Sequence, residues 1–414
     1  MIQLPEDFIQ ETRLLMGEKR FNGFMEAFNE EAPTSIRLNT KVCPQGQHPQ
    51  VGAWPHHQVP WCEEGYYLEG RPPFTFDPLF HAGCYYVQEA ASMFVCHALR
   101  SVLPSTGTAI ANTVPEPVEG LDMCAAPGGK STAMLNVLSD DSLLVSNEPI
   151  PTRAQILLEN ITKWGAPNCI VTNNYPRDFR KAKAKFDVIL CDVPCSGEGM
   201  FRKDPATIGE WSLQNVEKCW RLQREIVADA WECLNPGGIL IYSTCTFNTK
   251  ENEENARWII DTYDAEILEI PTKPEWHITG SLLAGFDAPV YRFIPGITQS
   301  EGLFMAVFRK GGNKSGSGAK NDMQRLKVLK ADLPEGDCPQ VDLPYSEALK
   351  YLRGEALTLP ADTPRGFVTV TYQGFPLGPA KNIGNRANNL YPKPWRIKTT
   401  HLPDEAPQVL QIVK

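Results

Sequence analysis

Two cysteines stand at the ends of apolar runs, where a thiol could do chemistry. In "FDVILCDVPCSGEGMFRKDP" (186–205) Cys195 follows a strand-like run and lies three residues after Asp192, and in "GGILIYSTCTFNTKENE" (237–253) Cys245 marks the point where the chain turns from apolar to charged. A lone Cys is more often a small core hydrophobe than a reactive group. Its neighbours decide. A thiolate is the active nucleophile and is favoured by nearby positive charge, which Lys130 and Arg202 could supply. A third stretch, "LDMCAAPGGKST" (121–132), reads as strand, small-residue turn and helix, an arrangement that brings backbone and helix N-terminal amides close to a ligand. Lys130-Ser131 has no GxxxxG ahead of it and is no phosphate-binding P-loop. Glu148, at the end of the next strand-like run, can accept from both hydroxyls of a ribose. A glycine turn followed by such an acid implies a nucleoside-containing cofactor.

These residues need a scaffold that gathers them. "LLVSNEP" (143–149), "CIVTNN" (169–174), "FDVILCDVPC" (186–195) and "GGILIYSTC" (237–245) are branched apolar runs, and helical segments such as "TRAQILLENITKWG" and "EKCWRLQREIVADAWECL" lie between them. The alternation predicts an α/β fold with a doubly wound, mostly parallel sheet. In such sheets ligands bind beyond the carboxyl ends of the strands near the switch in strand order. Asp192, Cys195 and Cys245 should therefore meet the cofactor turn in one crevice. Residues 1–80, with a short helical pattern and a Pro- and aromatic-rich stretch, read as a small N-terminal extension, residues 81–310 as the α/β domain, 311–330 as a Gly/Ser/Lys linker and 331–414 as a small C-terminal domain.

One segment fits the first strand badly. "ANTVPEPVEG" (111–120) puts two prolines, two glutamates and a glycine where apolar residues belong, and excising it would join "TAI" to "LDMC". The reading is either an insertion expelled as a surface loop or a shortened strand behind a long loop.

Composition narrows the class. A chain of 414 residues with 42% hydrophobic and 21% charged residues is globular and long enough for two or three domains. It shows no secretory signal and no run of about 18 apolar residues, so membrane spanning is not expected and a cytoplasmic location is. Twelve cysteines without CxxC pairing read as reduced thiols, with no metal site. A net charge of -9 excludes nucleic-acid binding by bulk positive charge, leaving local patches. "RDFRKAKAK" (177–185) carries five basic residues, and Arg365–Lys398 carries six with no acid, interleaved with aromatics that suit base stacking.

Together, "MCAAPGGKS", "DVPCSGEGMFRKDP", "STCT" and "ENE", with "HAGCYYVQEAASM" (81–93) ahead of them and "GFPLGPAKNIGNRANNLYPKPWR" near the end, resemble the Nop/Sun family of RNA cytosine-5 methyltransferases. The likeness is greatest to its bacterial ribosomal RNA branch, which carries a C-terminal domain related to PUA. The resemblance implies a Rossmann-like methyltransferase domain, S-adenosylmethionine as cofactor, RNA as partner and a monomer. It implies that Cys245 adds to carbon 6 of cytosine, that Cys195 assists product release, and that Asp192, with Lys130, handles the reacting base. Cofactor contacts implied are the backbone of Cys124, Ala125, Ala126, Pro127, Gly128, Gly129 and Lys130, then Glu148, Arg153 and the edge of Asp192. Where the family has an acid near adenine this chain has Tyr175, so Asn173 or Asn174 is expected to substitute.

Three alternatives stay open at this point. The same chemistry could act on tRNA. A DNA methyltransferase would use the Pro-Cys thiol as nucleophile and would not need the cysteine of "STCT". A non-catalytic RNA-binding assembly factor would not need Cys245, Cys195, Asp192 and Glu148 intact.

Overall fold

A computed structural model describes residues 3–41, 47–103, 117–312, 325–334, 338–399 and 401–413. Its centre is a mixed sheet whose strands run in the order Ala265–Ile267, Leu303–Lys310, Leu234–Thr244, Phe186–Asp192, Glu119–Asp122, Leu143–Asn147, Cys169–Thr172 and Val328–Leu329. The five strands from Leu234–Thr244 to Cys169–Thr172 are parallel to one another. Along Phe186–Asp192, Val188 and Leu190 belong to one core cluster and Ile189 and Cys191 to the cluster on the other face. A period-two strand buried on both sides has to be apolar throughout, which explains the continuous runs seen in the sequence. Helix Pro151–Trp164 covers the first face with Ala154, Leu157, Leu158, Ile161 and Trp164, begins on Pro151 and stops at left-handed Gly165. Helix Leu213–Cys233 covers the second, capped by the Ser212 hydroxyl, which accepts from the Asn215 amide.

From Glu119–Asp122 the chain winds outward through Leu143–Asn147 to Cys169–Thr172, then returns to place Phe186–Asp192 on the other side of the first strand. That reversal is the switch point. The expected doubly wound sheet is present, with antiparallel strands added at both edges, including Tyr291–Phe293 on Leu303–Lys310.

The first strand corrects the excision reading. Residues 111–116 lie outside the described residues. Val118, however, is buried, its amide donating to the Ser142 hydroxyl at 3.1 Å, and Glu119 and Gly120 form the strand's first half, paired with Leu143, Leu144 and Val188. No ten-residue loop ends at Gly120.

The terminal parts pack together. Strands Thr34–Leu38, His56–Gln58, Gly65–Leu68 and Tyr85–Val87 make an N-terminal sheet, and Gln340–Asp342, Gly366–Tyr372, Phe375–Asn382 and Ala387–Asn389 make a C-terminal one. Ile36, Leu79 and Tyr85 share one apolar core with Leu349, Val368 and Phe375, and Leu410–Val413 pairs with His48–Val51. Helix Glu6–Ala27, kinked at Gly17, sends Phe8 and Phe24 elsewhere: Phe8 meets Phe201 at 5.1 Å and Phe24 meets Phe247 at 5.1 Å, edge to face. The N-terminal helix thus packs on the loops that follow Cys195 and Cys245. No described helix is long and apolar enough to cross a membrane.

Candidate active site

The carboxyl ends of the first, fourth and fifth parallel strands bring the expected residues to one crevice. Cys195 and Cys245 lie with Sγ atoms 2.9 Å apart, and the Cys245 amide donates to Cys195 Sγ at 3.4 Å. Contact with Cys245, followed by burial, pushes the Cys195 thiol well above its ordinary range. Lys130 Nζ donates to Asp192 Oδ2 at 2.8 Å, and the Ser243 hydroxyl donates to Oδ1 at 2.7 Å. Burial alone would lower the Lys130 ammonium, but Asp192 and Cys245 beside it outweigh that and hold it above its usual value. A fixed cation therefore faces the thiol pair.

Arg202 does not share this task. It is buried in an ion pair with Glu301 and donates to the Ala27 carbonyl at 2.8 Å, so its charge is committed to a carboxylate. The expected second activating cation is corrected on that ground.

The turn from Cys124 to Lys130 starts helix Gly129–Val137, with Gly128 at φ 115 as its N-cap. Only glycine adopts that conformation without strain. The Arg153 guanidinium donates to the Ala126 carbonyl and the Asn160 amide to that of Pro127, at 2.9 and 2.8 Å. Cys124 is buried and its thiol is pushed far up, first by burial, so it contributes backbone and packing. Glu148 is 1% exposed; its Oε1 accepts from the Ile150 amide at 2.9 Å, while Oε2 has no hydrogen-bond partner and lies 3.4 Å from Arg153 Nη1. A buried acceptor left open at the end of a strand suits a ligand hydroxyl.

Asn173 and Asn174 are used differently from expectation. Asn174 Oδ1 accepts from the Lys327 amide at 3.0 Å, Asn173 Oδ1 accepts from Lys327 Nζ at 2.7 Å, and the Asn173 amide group donates to the Glu148 and Pro149 carbonyls. Both side chains dock the segment around Lys327, whose continuation adds Val328–Leu329 to the sheet edge. The exposed aromatic at this end of the crevice is Tyr175, 56% accessible. In the 177–185 stretch, Arg180 pairs with Asp229 at 2.7 Å and Lys185 donates to the Glu232 carbonyl.

Sequence reading missed Asp122. It is fully buried, takes the Ser131 hydroxyl on Oδ2 at 2.7 Å and leaves Oδ1 unpartnered; burial pushes its carboxyl up to about 7. The only available signal was an acid closing a buried strand just before the turn. Among the described residues, one group could offer metal ligands: Cys62, Glu64 and Cys96, with ligand atoms within 4.8 Å of one another. Arg100 already pairs with Glu64 there.

The sheet order, the glycine turn at the switch point and the open acid beyond the second strand are those of a Rossmann-like methyltransferase fold. Solved structures agree. A methyltransferase homolog protein from Pyrococcus horikoshii superposes with a TM-score of 0.57 at 26% identity, covering 74% of this chain and 100% of that one. The NSun6 protein of the same organism, solved with SFG, gives 0.59 at 20% identity, covering 75% and 99%. Family models match in chain order: the N-terminal domain of 16S rRNA methyltransferase RsmF over residues 4–90, 16S rRNA methyltransferase RsmB/F over 112–309, and the methyltransferase RsmF PUA domain over 338–397. Together the three models follow the order of the chain from residue 4 to residue 397, so the chain is similar to the RsmB/F 16S rRNA methyltransferases along most of its length. Ribosomal RNA small subunit methyltransferase F of Pectobacterium atrosepticum is 34% identical over 324 residues, 75% of this chain and 63% of that protein, and the Shigella flexneri one is 32% identical over 323 residues, 75% and 64%. The chain thus aligns with less than two thirds of the length of these relatives.

Proposed function

We propose that the protein transfers a methyl group from S-adenosylmethionine to carbon 5 of a cytosine in small-subunit ribosomal RNA, with Cys245 as nucleophile and Cys195 as the residue that releases product. The observation that carries this reading is the 2.9 Å thiol pair facing the Lys130–Asp192 ion pair. Cytosine carbon 5 is too poor a nucleophile to take a methyl group unaided. The Cys245 thiolate adds to carbon 6, and the displaced electron pair makes carbon 5 the nucleophile for the methyl carbon, whose bond to the cofactor sulfonium would break as the new carbon–carbon bond forms, its electron pair staying on sulfur. A base then removes the carbon 5 proton, and that electron pair expels the Cys245 sulfur. Asp192, oriented by Lys130 and Ser243, offers hydrogen-bonding to the base as the adduct forms. The cofactor supplies an electrophilic methyl group; the Cys124–Lys130 backbone, the open Glu148 oxygen and Arg153 would hold it, and Tyr175 offers a face for adenine. A base in duplex hides carbon 6, so the target is flipped or single-stranded.

RNA affinity is assigned to the C-terminal sheet, where exposed Phe367 lies 5.5 Å under Lys381 Nζ. Because that sheet shares its core with the N-terminal one, point variants test this better than truncation. Phe367→Ala with Lys381→Ala should weaken RNA binding and, if Lys381 meets a phosphate, lower the salt slope by roughly one unit. The protein acts as a cytoplasmic monomer in this reading.

The deciding experiment separates the cysteines. Cys245→Ala should abolish methylation and form no covalent RNA complex, whereas Cys195→Ala should trap an adduct that survives denaturing electrophoresis. The reverse pattern would restore the Pro-Cys thiol as nucleophile. Bisulfite mapping of total RNA with and without the gene reads the substrate, and a lost mark in tRNA instead would overturn the ribosomal assignment.

A further inference from the structure

Glu198 and Glu251 form a reciprocal brace between the two cysteine loops. Glu198 lies three residues past Cys195 yet reaches across to the other loop, where its Oε2 accepts the amides of Phe247 at 2.6 Å and Asn248 at 3.0 Å. Glu251 lies six residues past Cys245 and reaches the opposite way, its Oε2 accepting the Ser196 amide at 3.0 Å. The Asn248 amide group donates to both acids, at 2.9 Å to Glu198 Oε1 and 2.8 Å to Glu251 Oε1. A third strut runs between the backbones, from the Gly199 amide to the Cys245 carbonyl at 2.7 Å; a Cβ on Gly199 would sit 2.6 Å from that oxygen.

The chemical types are as constrained as the geometry. Glu198 and Glu251 are 3% and 0% exposed. Their other hydrogen-bond donors are neutral: the Trp211 indole and Ser196 hydroxyl for Glu198, the Gln223 amide for Glu251. Asn248 cannot flip to offer its oxygen, because Oδ1 already accepts the Glu251 amide at 2.9 Å. Gln223 is fixed likewise, its Oε1 accepting the Asn255 amide group at 2.8 Å. Every group around each carboxylate is a donor, so both oxygens must be acceptors. A glutamine would turn an NH2 against a donor wherever it was placed. Burying two acids side by side with neutral partners is unfavourable, and burial with repulsion from Glu198 pushes Glu251 up to about 7.

We infer that Glu198 and Glu251 are positioning residues that set the approach of the two thiols, Glu198 governing the Cys245 loop and hence attack, Glu251 governing the Cys195 loop and hence release. This rests on the cysteine roles proposed above. The Glu198 side chain holds the amides two and three residues beyond the nucleophile, while Glu251 holds the amide next to Cys195. Loosening either loop therefore impairs a different half-reaction.

The test uses full-length protein, S-adenosylmethionine and a substrate RNA, with adduct measured by denaturing electrophoresis and turnover by methyl transfer. Glu251→Gln should lower turnover at least tenfold and accumulate adduct, approaching the trap formed by Cys195→Ala. Glu198→Gln should lower turnover similarly with less adduct than wild type. Glu251→Asp and Glu198→Asp, which keep the acceptor oxygens, should restore part of the turnover. Where a variant melts early, adduct per folded protein below its melting transition is compared. Equal loss of both half-reactions in the two variants, or turnover within twofold of wild type, overturns the inference. Failure of Cys195→Ala to trap adduct would instead overturn the cysteine roles themselves.

Discussion

Asp122 gives a pH prediction whose size follows from its surroundings. The group is fully buried at the end of the first strand, with one oxygen on Ser131 and the other without a partner. Burial and the nearby Asp192 raise its carboxyl, while Ser131 and Lys130 pull it down, and the balance lies at about 7. In the unfolded chain an aspartate titrates at about 4. Between about pH 4 and 7 the native state therefore holds a proton that the unfolded state has lost, so stability is highest at the acid end and falls as pH rises to about 7. At pH 7 about half of the native molecules still hold that proton, and the cost is complete about one unit higher. Over pH 6 to 8 a group titrating near 7 loses about 1.4 kcal/mol of stability. Glu251 acts in the same sense. His81, held neutral by burial down to about 3, acts in the opposite sense up to about pH 6.5. A comparison with Asp122→Asn cancels both. Denaturant unfolding of wild type and variant at pH 6 and 8 should show the wild type losing about 1.4 kcal/mol more than the variant, about tenfold in the unfolding constant. Parallel pH curves for the two proteins would refute the reasoning, since the proton would then not reside on Asp122.

Deleting Ala111–Gly120 should leave the protein insoluble or without a cooperative melting transition, because it removes Val118 and half of a central strand paired on both sides; a soluble variant with wild-type melting would overturn that strand assignment. Phe24→Ala should destabilise by about 3–5 kcal/mol, because the ring is fully buried against Phe28 and Phe247, and should slow adduct formation through the Cys245 loop. Arg202→Met should cost about 3–5 kcal/mol by stranding buried Glu301, and Arg202→Met with Glu301→Leu should recover most of it, as read by denaturant melts. If the double variant also recovers methyl transfer, Arg202 is a structural cation; a stable but inactive double variant would return it to the chemistry.

What the sequence disclosed and what it withheld divide along a physical line. The four strands from Leu143 to Thr244 could be read because burial on both faces demands unbroken apolar runs, and such runs are local. Cys195, Cys245 and Asp192 could be placed because each closes one of those runs, and a parallel sheet sends all such ends to one edge. The strand Val328–Leu329 could not be read. It has two residues, and Lys327 just ahead of it donates to the side-chain oxygens of Asn173 and Asn174 more than 150 positions earlier, so nothing in its own sequence announces it. Arg202 looked like a free cation for the same reason: Glu301, which neutralises it, is remote in the chain. Glu198 and Glu251 were visible only as letters of "SGEG" and "ENE", because an acid's burial depends on what folds over it. In each case the residue was in plain view and its partner was not. The active site itself is built on such remote partners: beyond the bonds inside each cysteine loop, each loop's backbone is held by an acid from the other. Two loops fixed in this way reach their working separation only when the fourth and fifth strands are already side by side, which makes the reactive pair a product of the finished sheet.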